Sequence, residues 1–199
     1  MIKQELKRGV KYLLAMTVIC GIVYTLLVTV IAQIFFPKQA NGSIITVNGV
    51  KYGSELLGQQ YDNDKYMWGR IMNINTTTFT DKSGKPVLYA QASQLSPKSD
   101  KFKELVKERV DMIENANPNA DTAKVPQDLV TSSGSGLDPQ ISLAAANYQI
   151  SRVAQNNELT KEQVKQMIEK CTTHKVFGIF GQETVNVLKV NLMLDKILS

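Results

Sequence analysis

From Tyr12 to Phe36 the chain runs for 25 residues without a charged side chain, and Gln33 is the one strongly polar member of that run. Wound as a helix at ~1.5 Å per residue it extends about 37 Å, enough to cross a hydrocarbon core of roughly 30 Å with some tilt. The pattern then changes period. Ser43–Gly53 alternates β-favouring residues around Asn48-Gly49, a pair suited to a tight turn because both central residues need positive φ, and it predicts a short hairpin. A threonine-rich polar run follows Arg70 as far as Lys85, and residues 71–97 read as loop, with one strand at Val87–Ala90. From Asp100 to Asn115 the apolar positions Phe102, Leu105, Val106, Val110 and Ile113 recur at helical spacing, with Pro118 as a stop. An alanine-rich helix is expected to end near Asn156. Thr160-Lys-Glu-Gln163 has the form of a capping box opening another helix, which carries Val164, Met167, Ile168 and Cys171. The last helix, Thr184–Leu198, is apolar over most of its surface, so it belongs in the middle of a core or against a partner. The expected fold is therefore α+β: one N-terminal transmembrane helix followed by a single helix-dominated soluble domain with a small β-hairpin or sheet.

Length sets the limit on domains. At 199 residues there is room for a membrane segment and one ordinary domain, divided as a basic N-terminus (1–11), an anchor (12–36) and a folded domain (37–199). The formal net charge is +5, of which the first eleven residues supply +3 through Lys3, Lys7, Arg8 and Lys11 against Glu5. Only +2 is left for the remainder, with no concentrated basic stripe, so nucleic acid is not an expected partner. A cleaved signal peptide would have a shorter apolar region and a small-x-small exit. This run is longer and leaves through Gln33-Ile-Phe-Phe-Pro37, which reads as an uncleaved signal anchor. Its basic flank is expected in the cytoplasm by the positive-inside rule, and the domain after Pro37 outside it, in a single-pass cell-membrane protein.

Candidate chemistry is sparse. Cys20 lies in the apolar run and Cys171 in the domain, so no disulfide can form within the soluble part. His174 is the sole histidine, too little with Cys171 for a structural zinc site, and no metal is expected. Trp68 and Arg70 read as aromatic packing beside an exposed arginine, in preference to a ligand site. The mixed charges of Lys101, Lys103, Glu104, Lys107 and Glu108 read as a solvated helix face. Ser133-Gly-Ser-Gly136 resembles a hydrolase nucleophile elbow only superficially, because Leu137-Asp-Pro139 follows where the helix should start. The same segment could turn backbone amides inward as an anion cradle near a helix N-terminus, although the lysine of a P-loop is missing. A structural turn is the simpler reading.

Longer motifs surround that segment. Val125-Pro-x-Asp-Leu-Val-Thr-x-Ser-Gly-Ser-Gly-Leu-Asp-Pro139 leads to Ile141-Ser142, Ala145, Gln149 and Arg152-Val-Ala154. Gly181-Gln-x-x-Val-Asn-Val-Leu-x-x-Asn-Leu-x-Leu-Asp195 closes the chain, while Gly53-Ser-Glu-Leu-Leu-Gly-Gln59 and Tyr66-Met-Trp-Gly-Arg70 precede. With the anchor, these motifs closely resemble, in order and over nearly the whole length, the C subunit of Kdp-type potassium-transporting ATPases, the KdpC family. Two positions depart from it: Gln140 stands where the family usually has histidine, and Ser93-Gln-Leu-Ser96 where a Gly-Gly-Ser run is usual. The resemblance implies a non-catalytic accessory subunit of an ATP-driven high-affinity potassium uptake complex, needed for assembly and activity, with a channel-like subunit and a P-type ATPase subunit as partners. It also implies a catalytic chaperone that raises the pump's affinity for ATP, with Ser133, Gly134, Ser135, Gly136 and Gln149 as suspected nucleotide contacts. The alternative it leaves open is a regulatory domain that binds ATP directly. The expected external orientation conflicts with that alternative, since ATP is cytoplasmic.

Overall fold

The computed structural model describes residues 2–75, 77, 79–120 and 124–198. The chain divides into two compact units, Met1–Ile44 and Ile45–Ser199. The first unit is dominated by a helix that runs without interruption over Ile2–Phe35, none of its most apolar stretch being buried, and it is long and apolar enough to cross a membrane. Its parts are α1 (Ile2–Met16), a π-helical stretch (Thr17–Val23) containing Gly21, and α2 (Tyr24–Phe35). The hydroxyls of Thr17 and Thr29 donate to the carbonyls of Leu13 and Thr25, each at 2.8 Å, so these polar groups are satisfied within the helix. A span needs that arrangement because lipid offers no partners. Pro37 opens the one-turn helix α3 (Pro37–Ala40).

The expected hairpin forms from β1 (Ile44–Val47), whose first residue closes the first unit, and β2 (Val50–Ser54), with Asn48 and Gly49 at φ of 50° and 79°. The segment read as loop contains β3 (Ile74–Asn75) paired antiparallel with β4 (Tyr89–Ala90), so the expected strand is shorter than Val87–Ala90. Helix α4 (Asp100–Ala116) begins where Ser99 accepts from the amide of Phe102 and ends beside buried Ile113. After the short α5 (Gln127–Val130), a strand not anticipated from sequence, β5 (Gln140–Ser142), joins β6 (Thr172–Thr173) and β7 (Thr184–Asn186) in a three-stranded sheet of order β5-β7-β6.

The alanine-rich helix is divided at Gln149 into α6 (Leu143–Tyr148) and α7 (Ile150–Asn156), and α8 (Lys161–Lys170) opens with the capping box of Thr160 and Gln163. β6 (Thr172–Thr173) and β7 (Thr184–Asn186) flank the tip of the following loop. The last helix is shorter than Thr184–Leu198. Its first three residues are β7, because Val185 pairs with both Ile141 and Thr172, and α9 (Val187–Leu194) starts at the side-chain cap of Asn186.

α9 holds the core together. Val187, Val190, Met193 and Leu194 join the main cluster with Met67, Trp68, Ile113, Leu129, Ile141 and Val153, while Leu188 and Leu192 pack on Ile45 of the hairpin. Every residue of α9 except Lys189 is buried, which meets the expectation of a central helix. Complete burial of each such apolar side chain is worth about 1.5–3 kcal/mol.

Candidate functional site

Two features of the second unit combine polar groups with close packing: the segment Asp64–Arg70 and the turn Ser132–Asp138. The first is irregular backbone with no strand paired to it among the described residues, yet Met67 and Trp68 are buried. Buried amides and carbonyls must find partners, and side-chain amides supply them. Asn191 of α9 accepts from the Met67 amide at 2.8 Å and donates to its carbonyl at 3.0 Å. Gln149, between α6 and α7, treats Trp68 in the same way, at 2.9 and 3.0 Å. Each carboxamide thus takes the place of a neighbouring strand.

Arg152, also buried, donates to the carbonyls of Asp64 and Tyr66, to Asn117 Oδ1 at 3.1 Å and to Gln149 Oε1 at 2.6 Å. Its guanidinium carbon lies 4.3 Å from the Trp68 ring centroid. Burial pushes this guanidinium down to about 10, so the group stays charged at neutral pH. The contacts that hold it are oxygen dipoles and an aromatic face, and the nearby charge of Asp64 offsets part of the cost of desolvating the cation. Asp195 fixes the outer end of the segment, accepting from the Tyr66 hydroxyl at 2.9 Å and from Lys65 at 3.1 Å.

Arg70 continues the segment to the turn. It is half-buried, not exposed as the sequence suggested, with Nη2 3.4 Å from the Ser132 carbonyl and Nη1 3.9 Å from Asp138 Oδ2. Within the turn the serine hydroxyls serve local backbone. Ser133 Oγ accepts from the Gly136 amide at 3.0 Å, Ser135 Oγ accepts from the Leu137 amide at 3.2 Å, and the two hydroxyls are 3.3 Å apart.

Gly136 has a structural reason. It sits at φ +72°, where a Cβ would run into the carbonyl oxygen of Gln91 and stand 3.1 Å from that of Asn73. Gly134 has no such constraint, since nothing lies within 4 Å of where its Cβ would be. The backbone around the turn is tightly crossed: Asn73 donates to the Gly136 carbonyl at 3.1 Å and Gly58 to that of Leu137 at 2.8 Å.

Of the five candidate nucleotide contacts, Ser133, Gly134, Ser135 and Gly136 thus share one turn, while Gln149 lies in the core, bonded to the Trp68 backbone and not to the turn. Gln149 is fully buried, and both ends of its carboxamide are engaged, Nε2 also reaching the Ala145 carbonyl at 3.2 Å. Beside the turn, Ser132 helps to line a cavity of about 260 Å³ together with Ile71, Phe102, Leu105, Val130 and Lys101. Among the described residues no group of three or more His, Cys, Asp or Glu side chains is placed to hold a metal ion.

Sequence reasoning quoted Asn191 within the C-terminal motif without giving it a role, and it missed Asn117. The available signal was a polar residue inside an apolar run, as Asn191 is between Val190 and Leu192.

A family model described as KdpC, K+-transporting ATPase, c chain, matches residues 6–196. The chain is 53% identical over 193 residues to the potassium-transporting ATPase KdpC subunit of Clostridium perfringens, covering 97% of this chain and 98% of that protein. It is 56% identical over 182 residues to the subunit of the same name from Clostridium botulinum strain Alaska E43, covering 92% and 90% respectively. To the one from Herpetosiphon aurantiacus it is 43% identical over 183 residues, covering 92% and 91%.

Proposed function

We propose, for a chain that belongs to the KdpC family of K+-transporting ATPase c chains, a non-catalytic accessory role: one helix anchors it in the membrane and its folded domain, outside the cytoplasm, supports assembly and potassium transport. Its partners on this reading are the channel-like and P-type ATPase subunits of the same complex. The observation that carries it is the use of polar groups in the domain. Gln149, Arg152 and Asn191 are buried and spend their hydrogen bonds on the protein's own backbone and on each other, and the serines of the turn cap their own loop. Such groups build a rigid body and leave little for a reacting substrate. The decisive experiment strips this subunit from the purified complex and measures potassium transport. Loss of transport, restored on adding the subunit back, is expected; full transport without it would sink the reading.

The cavity beside Ser132 favours a second reading. Lys101 in its wall supplies a cation of the kind the turn itself lacks, and exposed Gly134 stands open to solvent on the turn. On this reading the domain contacts ATP directly and raises the pump's apparent affinity for it, the catalytic-chaperone role. Gly134→Asp and Lys101→Ala test it, because neither touches the core. The second reading requires both to weaken apparent ATP affinity severalfold in the intact complex. The first expects no change.

A further inference from the structure

Between β6 and β7 the chain leaves the core as a loop whose large side chains all face outward. Val176, Phe177, Ile179 and Phe180 are 59%, 88%, 75% and 66% exposed. Four large apolar residues presented together are costly on a lone domain and mark a contact site.

The loop is also rigid. The amide of Val176 donates to the Phe180 carbonyl at 2.8 Å, that of Phe180 to the Val176 carbonyl at 3.0 Å, and that of Gly178 to Lys175 at 3.1 Å. At its root His174 reaches Glu169 of α8 through Nε2 at 3.1 Å and Glu183 through Nδ1 at 3.2 Å, fastening both ends of the loop to the domain. Phe177 sits at φ +54°, a left-handed conformation that a bulky side chain rarely adopts. Strain of that kind persists where surrounding structure imposes it.

Two occupants suit such a knob, a lipid leaflet and an apolar pocket on a protein. A leaflet is fluid and rewards no particular shape, so it gives no return for holding Phe177 in strained geometry. Lipid-inserting segments also carry clustered Lys and Arg, whereas residues 174–182 hold Lys175 alone and their root carries the carboxylates of Glu169 and Glu183. A protein pocket does reward a pre-formed aromatic anchor, because little freedom remains to be lost on docking. Chain length limits how far the domain can stand from its anchor: eight residues separate Phe36 from Ile45, nine steps of chain that reach at most about 32 Å.

We infer that the Val176–Phe180 loop is the docking knob of this chain, seated in an apolar pocket on another subunit of the same ATPase complex, with Phe177 as its central anchor. This rests on the accessory-subunit reading above. With the photoreactive p-benzoylphenylalanine at position 177 of the full chain, co-expressed with its complex in membranes, irradiation is expected to join it to another subunit. Adducts to lipid alone, or none, overturn the inference. Phe177→Gly gives an independent readout, since glycine relieves the left-handed strain while removing the ring. The melting temperature of the chain should hold or rise, while its retention in the detergent-purified complex falls at least about tenfold; unchanged retention overturns the inference. If removing the whole subunit abolishes transport but Phe177→Gly leaves retention intact, docking through the knob fails alone. If transport survives removal, the accessory reading fails with it.

Discussion

At the scale of single residues, Gln149 separates a structural role from a ligand-binding one. Its carboxamide meets the amide and carbonyl of Trp68, the carbonyl of Ala145 and the Arg152 guanidinium, all inside the core. Gln149→Ala leaves those groups buried without partners, and an unmade buried hydrogen bond costs ~1–3 kcal/mol. The expected loss is about 2–4 kcal/mol of stability, read as a lowered urea midpoint, with Gln149→Glu failing to restore the amide donor. The two turn glycines make a matched pair. Gly136→Ala forces a side chain into left-handed backbone against Gln91 and should cost about 2 kcal/mol or more, whereas Gly134→Ala should stay within about 0.5 kcal/mol. Equal effects would show that the turn owes its shape to something other than its contacts with Asn73 and Gln91. None of this was legible in Ser-Gly-Ser-Gly alone, since which glycine is needed depends on backbone more than forty residues earlier in sequence.

At the scale of elements, local signals translated well and distant ones did not. The Asn48-Gly49 turn, the helix expected over Asp100–Asn115 and found over Asp100–Ala116, and the Thr160–Gln163 box depend on neighbours within four residues, and each appears where the sequence put it. β5 and β7 depend on pairing across some forty residues, and three-residue strands leave too little alternation to detect. The segment 64–70 was read as aromatic packing, correctly for Trp68, but its partners Gln149, Arg152 and Asn191 lie far along the chain. Removing the cap with Thr160→Ala should cost about 1 kcal/mol, measurable by thermal unfolding.

His174 ties α8 to the start of β7. Both ring nitrogens face carboxylates, so both must donate and the imidazolium is the form that fits. Its pKa is raised above the usual 6.5, first by the hydrogen bond to Glu183. A raised value contributes stability that is fully present below the unfolded pKa and is lost as pH climbs through the folded one. The melting temperature should therefore fall slightly as pH rises from about 6.5, and His174→Gln should remove that slope. As the sole histidine, its ring signals give the midpoint directly by NMR; a midpoint at or below 6.5 would show that the bridge does not hold in solution.

At the scale of the molecule, everything turns on which side of the membrane the domain occupies. The charge bias is the physical argument. Lys3, Lys7, Arg8 and Lys11 against Glu5 precede the apolar span, with Lys38 on its far flank, and the positive-inside rule favours the cytoplasm for such a basic end, the orientation proposed above. An external domain cannot meet cytoplasmic ATP, so orientation decides between the two functional readings more directly than any contact in the turn. Thiol labelling reads orientation with little interference. Burial pushes the Cys171 thiol up to about 11, leaving it protonated and slow to react in the folded domain, and Cys20 lies within the span. With Cys20 and Cys171 replaced, Lys82→Cys places one thiol on an exposed turn. An impermeant maleimide should label it in intact cells. Labelling only after lysis would put the domain in the cytoplasm, overturn the external role, and turn the cavity between Lys101 and Ser132 into the first place to look for ATP.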